Sequence, residues 1–225
     1  MNLSDYVLKF LQEKKIKHVF TLTGGAISFL IDAFARNKNI NYVAVAHEQA
    51  ASIMADSYSR VGPNFSCTMA TSGPGATNLI TGIACSYFDS IPSLHITGQV
   101  NTYEQQSYHP STKNVRQVGF QETDIVNIIK PITKFSYKLK NASEIKYILE
   151  KGFHIATSGR PGPVLIDIPM DFQRKELNFK RLKGFKSKKK LIKVNILNKK
   201  IIQIQKKLKN SSRPIIILGG GIKYA

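Results

Sequence analysis

The sequence has no apolar run near the roughly 20 residues that cross a bilayer, so no segment reads as a membrane-spanning helix. Its first residues carry Asp5, Glu13 and lysines at 14, 15 and 17, which is not the pattern of a signal peptide. Cysteine is scarce. Cys67 and Cys85 are too few for a disulfide framework and lack metal-ligand spacing, which points to a reducing cytoplasm and no metal centre of this chain's own. Acidic residues are scarce too, and unevenly so. The 33 basic residues outnumber 14 acidic ones, a net of +19. Residues 1–120 hold nine basic and seven acidic residues and are near neutral. No aspartate follows Asp171, and residues 174–210 set 15 basic residues against Glu176 alone. The excess is therefore one basic segment rather than a basic protein. With 42% apolar and 21% charged residues over 225 positions, the chain is long and apolar enough for one domain and the start of another.

Apolar periodicity alternates between strand and helix. Residues 4–15 predict a helix with Ser4 as N-cap and Val7, Leu8 and Leu11 on one face. Strands are expected at about 18–22, 41–46, 65–70, 93–98, 131–137 and 163–168, with helices between them. The strands are apolar throughout rather than alternating, so they belong in a six-stranded parallel sheet with helices on both faces. Residues 100–122 are a long polar loop, and such loops are often functional. Lysines interrupt any apolar face over 174–193, which reads as a basic linker after a domain at 1–173. The rest, 194–225, predicts an amphipathic helix at 194–210 and a buried strand at 213–222 that enters Gly219-Gly220-Gly221. A strand running into glycines is how an α/β domain begins, so a truncated second domain is expected, from a fragment or one half of a split enzyme.

Several motifs sit where strands give way to helices, which is where open α/β sheets bind ligands. Glu48, in His47-Glu48-Gln49-Ala50-Ala51, would face the positive end of a helix dipole; on position alone a helix-capping glutamate serves as well. His47 reads as a hydrogen-bonding histidine. The turn Thr71-Ser72-Gly73-Pro74-Gly75 lets backbone approach a ligand, or is simply a tight turn, and Gly24-Gly25-Ala26 has the same two readings. Asn78 stands where a dinucleotide fingerprint needs its third glycine, and no Lys follows to make a P-loop. In the long loop, Phe120-Gln121 offers an apolar wall and a neutral hydrogen-bonding group. Arg160, between glycines and prolines ahead of a strand, suits a phosphate or a flat ring.

Taken in order, GGA (24–26), HEQAA (47–51), ATSGPGATN (70–78), ITGQV (96–100), GFQE (119–122) and ATSGRPGPVLIDIP (156–169) closely resemble the N-terminal pyrimidine-binding domain of thiamine diphosphate enzymes. The nearest branch is the acetolactate synthase (acetohydroxyacid synthase) large subunits. The resemblance covers residues 1–173, and 214–221 is similar to the start of that family's middle domain.

It implies that Glu48 is catalytic. A buried carboxyl group resists ionisation and can share a proton with N1′ of the cofactor's aminopyrimidine. The ring then takes the proton from the thiazolium carbon, and the cofactor decarboxylates a 2-keto acid and adds the product to a second one. Gly24, Gly25, Asn78 and Gln99 would lie near the cofactor, and Gly25, Phe120 and Gln121 would line the substrate pocket. Arg160 matches an arginine that contacts a structural FAD. Mg²⁺ and the diphosphate would be held by a Gly-Asp-Gly…Asn motif in a C-terminal domain that this sequence does not contain. The resemblance also implies a homodimer or homotetramer, 2-keto acid substrates, a small regulatory subunit, and a role in branched-chain amino acid biosynthesis in the cytoplasm.

Three positions depart from the branch. Met170 stands where a Lys is usual, VRQV precedes FQE in place of smaller residues, and TLTGGA replaces a Pro-Gly-Gly-Ala turn. They suit another thiamine diphosphate carboligase or decarboxylase. A catalytically silent truncated fragment is the further alternative. A nucleic-acid module resting on 174–210 has charge but no recognised fold, so nucleic acid is not expected as a partner.

Overall fold

The computed structural model describes residues 1–61, 65–109, 111, 115–187 and 194–224. Two compact units are present, Met1–Phe185 and Lys186–Ala225.

The first unit is built on six strands, β1 (His18–Thr21), β2 (Asn41–Ala44), β3 (Ser66–Ala70), β4 (Ser93–Gln99), β5 (Phe135–Lys138) and β6 (Pro163–Pro169). All pair in parallel, in the order β2-β1-β3-β4-β6-β5. The expected parallel sheet is thus present. Strands β3, β4 and β6 are buried along their whole length, mostly apolar and small residues with His95, Gln99 and Asp167 buried among them, while β2 and β5 form half-exposed edges.

The helices are α1 (Leu3–Glu13), α2 (Ser28–Arg36), α3 (Glu48–Arg60), α4 (Pro74–Asn78), α5 (Ile80–Phe88), α6 (Ile125–Ile129), α7 (Ile145–Thr157) and α8 (Met170–Gln173). Helices α1, α2 and α7 close a core of Leu, Ile and Val on one face of the sheet. Helices α3, α5 and α6 cover the other. The N-cap of α1 differs from expectation. Asn2 caps it by accepting from the Asp5 amide at 2.8 Å, and Ser4 lies inside the helix, buried, donating to the Gln173 carbonyl at 2.9 Å. Asn is as good a cap as Ser, and the helix starts where the Asn is.

The face under α3 and α5 carries buried polar residues that pair with one another. Ser59 donates to Ser66 at 2.7 Å. His95 sits between Thr68, at 2.8 Å, and Ser93, at 2.9 Å. Burial pushes the His95 pKa down to about 3, so the ring is neutral, with one nitrogen to donate and one to accept. Rotatable hydroxyls on both sides fit either tautomer.

The basic stretch after residue 173 continues the first unit as far as Phe185. Its apolar residues anchor it. Phe179 stacks on Tyr6 with ring centroids 4.1 Å apart, and Leu177 and Leu182 pack against the core. Lysine stems can lie along such a surface with their charges in water, so a lysine-rich segment need not be a free linker.

The second unit holds helix α9 (Val194–Lys209), close to the expected helix at 194–210. The expected strand at 213–222 is not formed, and Ile215 and Ile217 are 85% and 90% exposed. A strand needs a neighbour to take its backbone hydrogen bonds, and this unit offers none among the described residues. Among the described residues no helix is long and apolar enough to cross a membrane.

Candidate active site

Strand β1 lies between β2 and β3. The chain leaves β1 through α2 on one face and returns to β3 through α3 on the other. The carboxyl ends of β1 and β3 therefore form a topological switch point, where open sheets leave a crevice. Two motifs singled out in the sequence follow those strands, Gly24-Gly25 after β1 and Thr71–Gly75 after β3, and a third, His47-Glu48, follows the neighbouring β2.

Thr71 organises the turns. Its Oγ1 accepts from the Ala26 amide at 3.1 Å. A Cβ on Gly24 would stand 2.4 Å from Thr71 Cβ, and one on Gly75 would stand 2.6 Å from Thr71 Cγ2. Both glycines are required by that one side chain. Gly25 differs: a Cβ there would meet nothing within 4 Å. Gly73 has φ +62°, and a Cβ on it would stand 2.6 Å from Gln121 Cβ, with Gln121 itself at φ +58°. The β3 turn and the long loop thus interlock through two left-handed residues, an arrangement that favours glycine.

Glu48 is the first residue of α3 and is 7% exposed. His47 caps that helix, its Nδ1 accepting from the Gln49 amide at 3.1 Å. Asn78 Nδ2 donates to Glu48 Oε2 at 3.0 Å. Oε1 receives no hydrogen bond from any described residue and lies 3.2 Å from the place a Cβ on Gly75 would take. One oxygen is held and the other is kept clear by a missing methyl group.

A cleft of about 600 Å³ opens beside these turns, and Gly24, Gly25, Thr71, Phe120, Gln121 and Met170 are among the residues lining it. Phe120 is 80% exposed at its rim. Glu48 and Asn78 do not line this cleft; they adjoin it across Thr71 and Gly75. Gln99 is turned inward. Its Nε2 donates to Thr123 O at 2.8 Å and to Asp167 Oδ2 at 3.1 Å, and its Oε1 accepts from the Val100 amide at 3.0 Å. That side chain has no free group for a cofactor. Arg160 stands apart. It donates to Ser90 Oγ at 2.6 Å, and both residues precede strands, so they lie at the amino edge of the sheet. The strands between the two edges put it on the order of 20 Å from the switch point. There it lines a separate cavity of about 360 Å³ with Tyr87, Phe88 and Lys134.

Residues to which the sequence reading gave no role hold the long loop. Glu122 accepts from the Gln106 amide at 2.8 Å, and Asp171 accepts from the Thr102 amide at 3.0 Å and its hydroxyl at 2.7 Å. Asn101 and Glu104 form a capping box, and their spacing is legible in the sequence. The other two are contacts across 16 and 69 residues, which leave no local signal.

Residues 1–128 match the family model described as "Thiamine pyrophosphate enzyme, N-terminal TPP binding domain". The chain is 38% identical over 222 residues to the acetolactate synthase large subunit of Haemophilus influenzae, covering 97% of this chain and 37% of that protein. The large subunit of Buchnera aphidicola (from Acyrthosiphon pisum) is likewise 38% identical, over 223 residues and the same shares. The acetolactate synthase isozyme 3 large subunit of Escherichia coli is 41% identical over 168 residues, 75% of this chain and 28% of that protein. The chain thus spans little more than a third of the length of such relatives. The glycine turns at the switch point, the half-free glutamate on α3 and the similarity through the whole first unit agree: the chain belongs to the thiamine pyrophosphate enzymes, within the acetolactate synthase large-subunit family.

Proposed function

We propose that this chain provides the pyrimidine-activating half of a thiamine diphosphate site, in an enzyme that decarboxylates a pyruvate-like 2-keto acid and joins the product to a second 2-keto acid. The observation that carries this is Glu48, nearly buried, with Oε2 held by Asn78 and Oε1 clear beside Gly75. The residues fit the cofactor. A free carboxyl oxygen suits a ring nitrogen, and the open space over Gly25 admits a flat ring close to backbone. When bound, the cofactor supplies an electron sink for the carbanion left by decarboxylation.

The chain's own part is proton handling and placement. Glu48 Oε1 takes up and returns a proton at the pyrimidine N1′ position. Asn78 fixes the carboxyl plane so that Oε1 rather than Oε2 faces the ring. Gly24 and Gly25 bring backbone to the cofactor without side chains in the way. Gln121 gives the substrate a neutral hydrogen-bonding group, and Phe120 and Met170 add apolar surface to the cleft. Diphosphate and Mg²⁺ would be held by a further domain, FAD by Arg160 with a middle domain, and the whole would be a cytoplasmic homodimer or homotetramer with a small regulatory subunit. Met170 in the cleft lining supports a second reading, a carboligase or decarboxylase whose substrate has a more apolar side chain.

The test is a chimera in which this sequence replaces the matching part of the Haemophilus influenzae large subunit, assayed for carbon dioxide release and acetolactate with pyruvate. Turnover is expected. Glu48→Gln should lower it by about 10²–10⁴-fold, the usual worth of a general acid–base group. Activity within about threefold of the unsubstituted chimera, far short of that range, would remove Glu48 from the mechanism.

A further inference from the structure

Asp167 is a buried titratable group that this chemistry does not use. It lies in β6, 1% exposed, and faces β4. Its Oδ1 accepts from Thr97 Oγ1 at 2.7 Å and its Oδ2 from Gln99 Nε2 at 3.1 Å. The same Gln99 nitrogen donates to Thr123 O at 2.8 Å, while Gln99 Oε1 accepts from the Val100 amide at 3.0 Å. One side chain therefore grips the long loop where it leaves β4 and where it returns ahead of α6. Thr123 Oγ1 in turn donates to Gln121 O at 3.3 Å. Val100 and Gln121 both line the cleft. On the other side, Lys138 Nζ donates to Gln105 Oε1 at 3.0 Å, and Gln105 Nε2 donates to Val100 O at 3.1 Å.

Burying a carboxyl group is costly, and an apolar pair of the same volume would serve the core at least as well. What the carboxyl group adds is geometry. Two fixed acceptor positions leave the Gln99 amide one orientation, and that orientation decides which backbone groups it holds.

We propose that Asp167 and Gln99 are positioning residues, a buried clamp that sets the two roots of the 100–123 loop and through them the place of Val100 and Gln121 in the cleft wall. Only the clamp's consequence for substrate rests on the function proposed above; the clamp itself does not.

The experiment is amide hydrogen exchange on this 225-residue chain. In Gln99→Met, nearly isosteric but without the amide, exchange over residues 100–109 and 115–123 should be roughly tenfold faster, the worth of a lost buried hydrogen bond. Exchange in α1 and α7 should not change. Asp167→Leu should raise the same segment, and the double variant should be no faster than Gln99→Met, because both break one device. At about pH 4, where Asp167 is protonated, Asp167→Asn should match the unsubstituted chain, since its oxygen still accepts from Gln99 and its nitrogen can donate to Thr97. Unchanged loop exchange in Gln99→Met, or additive effects in the double variant, would overturn the clamp. If Gln99→Met loosens the whole unit, Asp167→Asn decides: a rise confined to the loop there refutes the assignment, and protection equal to the unsubstituted chain upholds it. In the chimera, Gln99→Met should raise KM for pyruvate more than it lowers kcat. A chimera inactive before any substitution would reject the proposed function and leave the exchange result standing.

Discussion

Gly24 and Gly25 are neighbours in sequence, yet the structure assigns opposite consequences to giving each a methyl group. At Gly24 the backbone is extended, with φ −169°, which alanine adopts freely. The obstacle is Thr71, whose Cβ would be 2.4 Å from the new carbon. That atom is fixed by its backbone and cannot swing away. Overpacking of this kind costs about 1–3 kcal/mol. Moving Thr71 also breaks its bond to the Ala26 amide, adding about 1 kcal/mol. Gly24→Ala should therefore lose about 2–4 kcal/mol. At Gly25 nothing stands within 4 Å and φ is not left-handed, so Gly25→Ala should be neutral or gain up to about 1 kcal/mol from a stiffer unfolded chain. With urea slopes of about 1–3 kcal/mol per molar, the two unfolding midpoints should separate by about 1 M or more. Far-UV circular dichroism follows this in the chain itself. In the chimera the order inverts in meaning, because the stable Gly25→Ala variant puts its methyl group into the cleft and should raise the pyruvate KM while the fold is intact. Equal stabilities, or Gly25→Ala as the weaker of the two, would refute the wedge role given to Thr71.

Other outcomes follow from the same geometry. Gly73→Ala forces alanine to φ +62° and ψ −128° against Gln121 and should cost about 1–3 kcal/mol from backbone alone, read by the same urea titration. Burial raises the Asp167 pKa to about 6 against the pull of Thr97, Gln99 and Lys138 and with a smaller push from Asp124. The folded value lies above the unfolded one, so this residue's contribution is complete below about pH 4 and is lost as pH rises through about 6. Relative to Asp167→Asn, the unsubstituted chain should lose about 3 kcal/mol between those limits, and parallel stability curves for the two would refute the shift.

Much of this was legible because the parallel sheet writes itself plainly. The runs SCTMA, SLHITG and PVLIDIP are too short for helices and too apolar for exposed strands, and they became β3, β4 and β6. The glycine turns were legible as places of close approach, though not the reason, which is Thr71 for two of them. Glu48 was legible as a helix start, but the side that Asn78 holds is a contact across 30 residues. Gln99 was legible as a motif position but not in its direction: the side chain turns into the sheet toward Asp167. Arg160 was assigned by its motif to an FAD contact, and a residue ahead of a parallel strand sits at the opposite edge from the glycine turns, which follow strands. The strand at 213–222 was read from apolar content alone, and apolar content cannot supply the partner strand that a ladder needs.

The scarcity of acids in the second half of the sequence bears on how the chain should respond to salt. Residues 121–225 contain seven acidic residues, and each accepts a hydrogen bond that fastens a turn, a loop or a terminus rather than neutralising a lysine. Glu122 holds Gln106, Asp124 caps α6, Glu144 takes Tyr137, Glu150 takes the Phe185 amide, Asp167 takes Thr97, Asp171 takes Thr102, and Glu176 takes the Met1 amine. Among the described residues no ion pair joins any of them to a Lys or Arg. The described lysines and arginines of that half make no ion pair with a carboxylate, and their like charges repel one another through solvent. Among the described residues the ion pairs between side chains, Lys9 with Glu13, Arg36 with Asp5 and Asp32, and Arg60 with Asp56 and Asp89, lie in the first 120 residues and have exposed members worth little apiece. Repulsion should therefore outweigh attraction in the folded chain. The Debye length falls from about 30 Å at 0.01 M to about 10 Å at 0.1 M, which screens the lysine field first. The urea midpoint should rise as sodium chloride is raised over that range at pH 7.5. A midpoint that falls with salt would mean that the surface pairs, not the unpaired lysines, dominate the electrostatics of the fold.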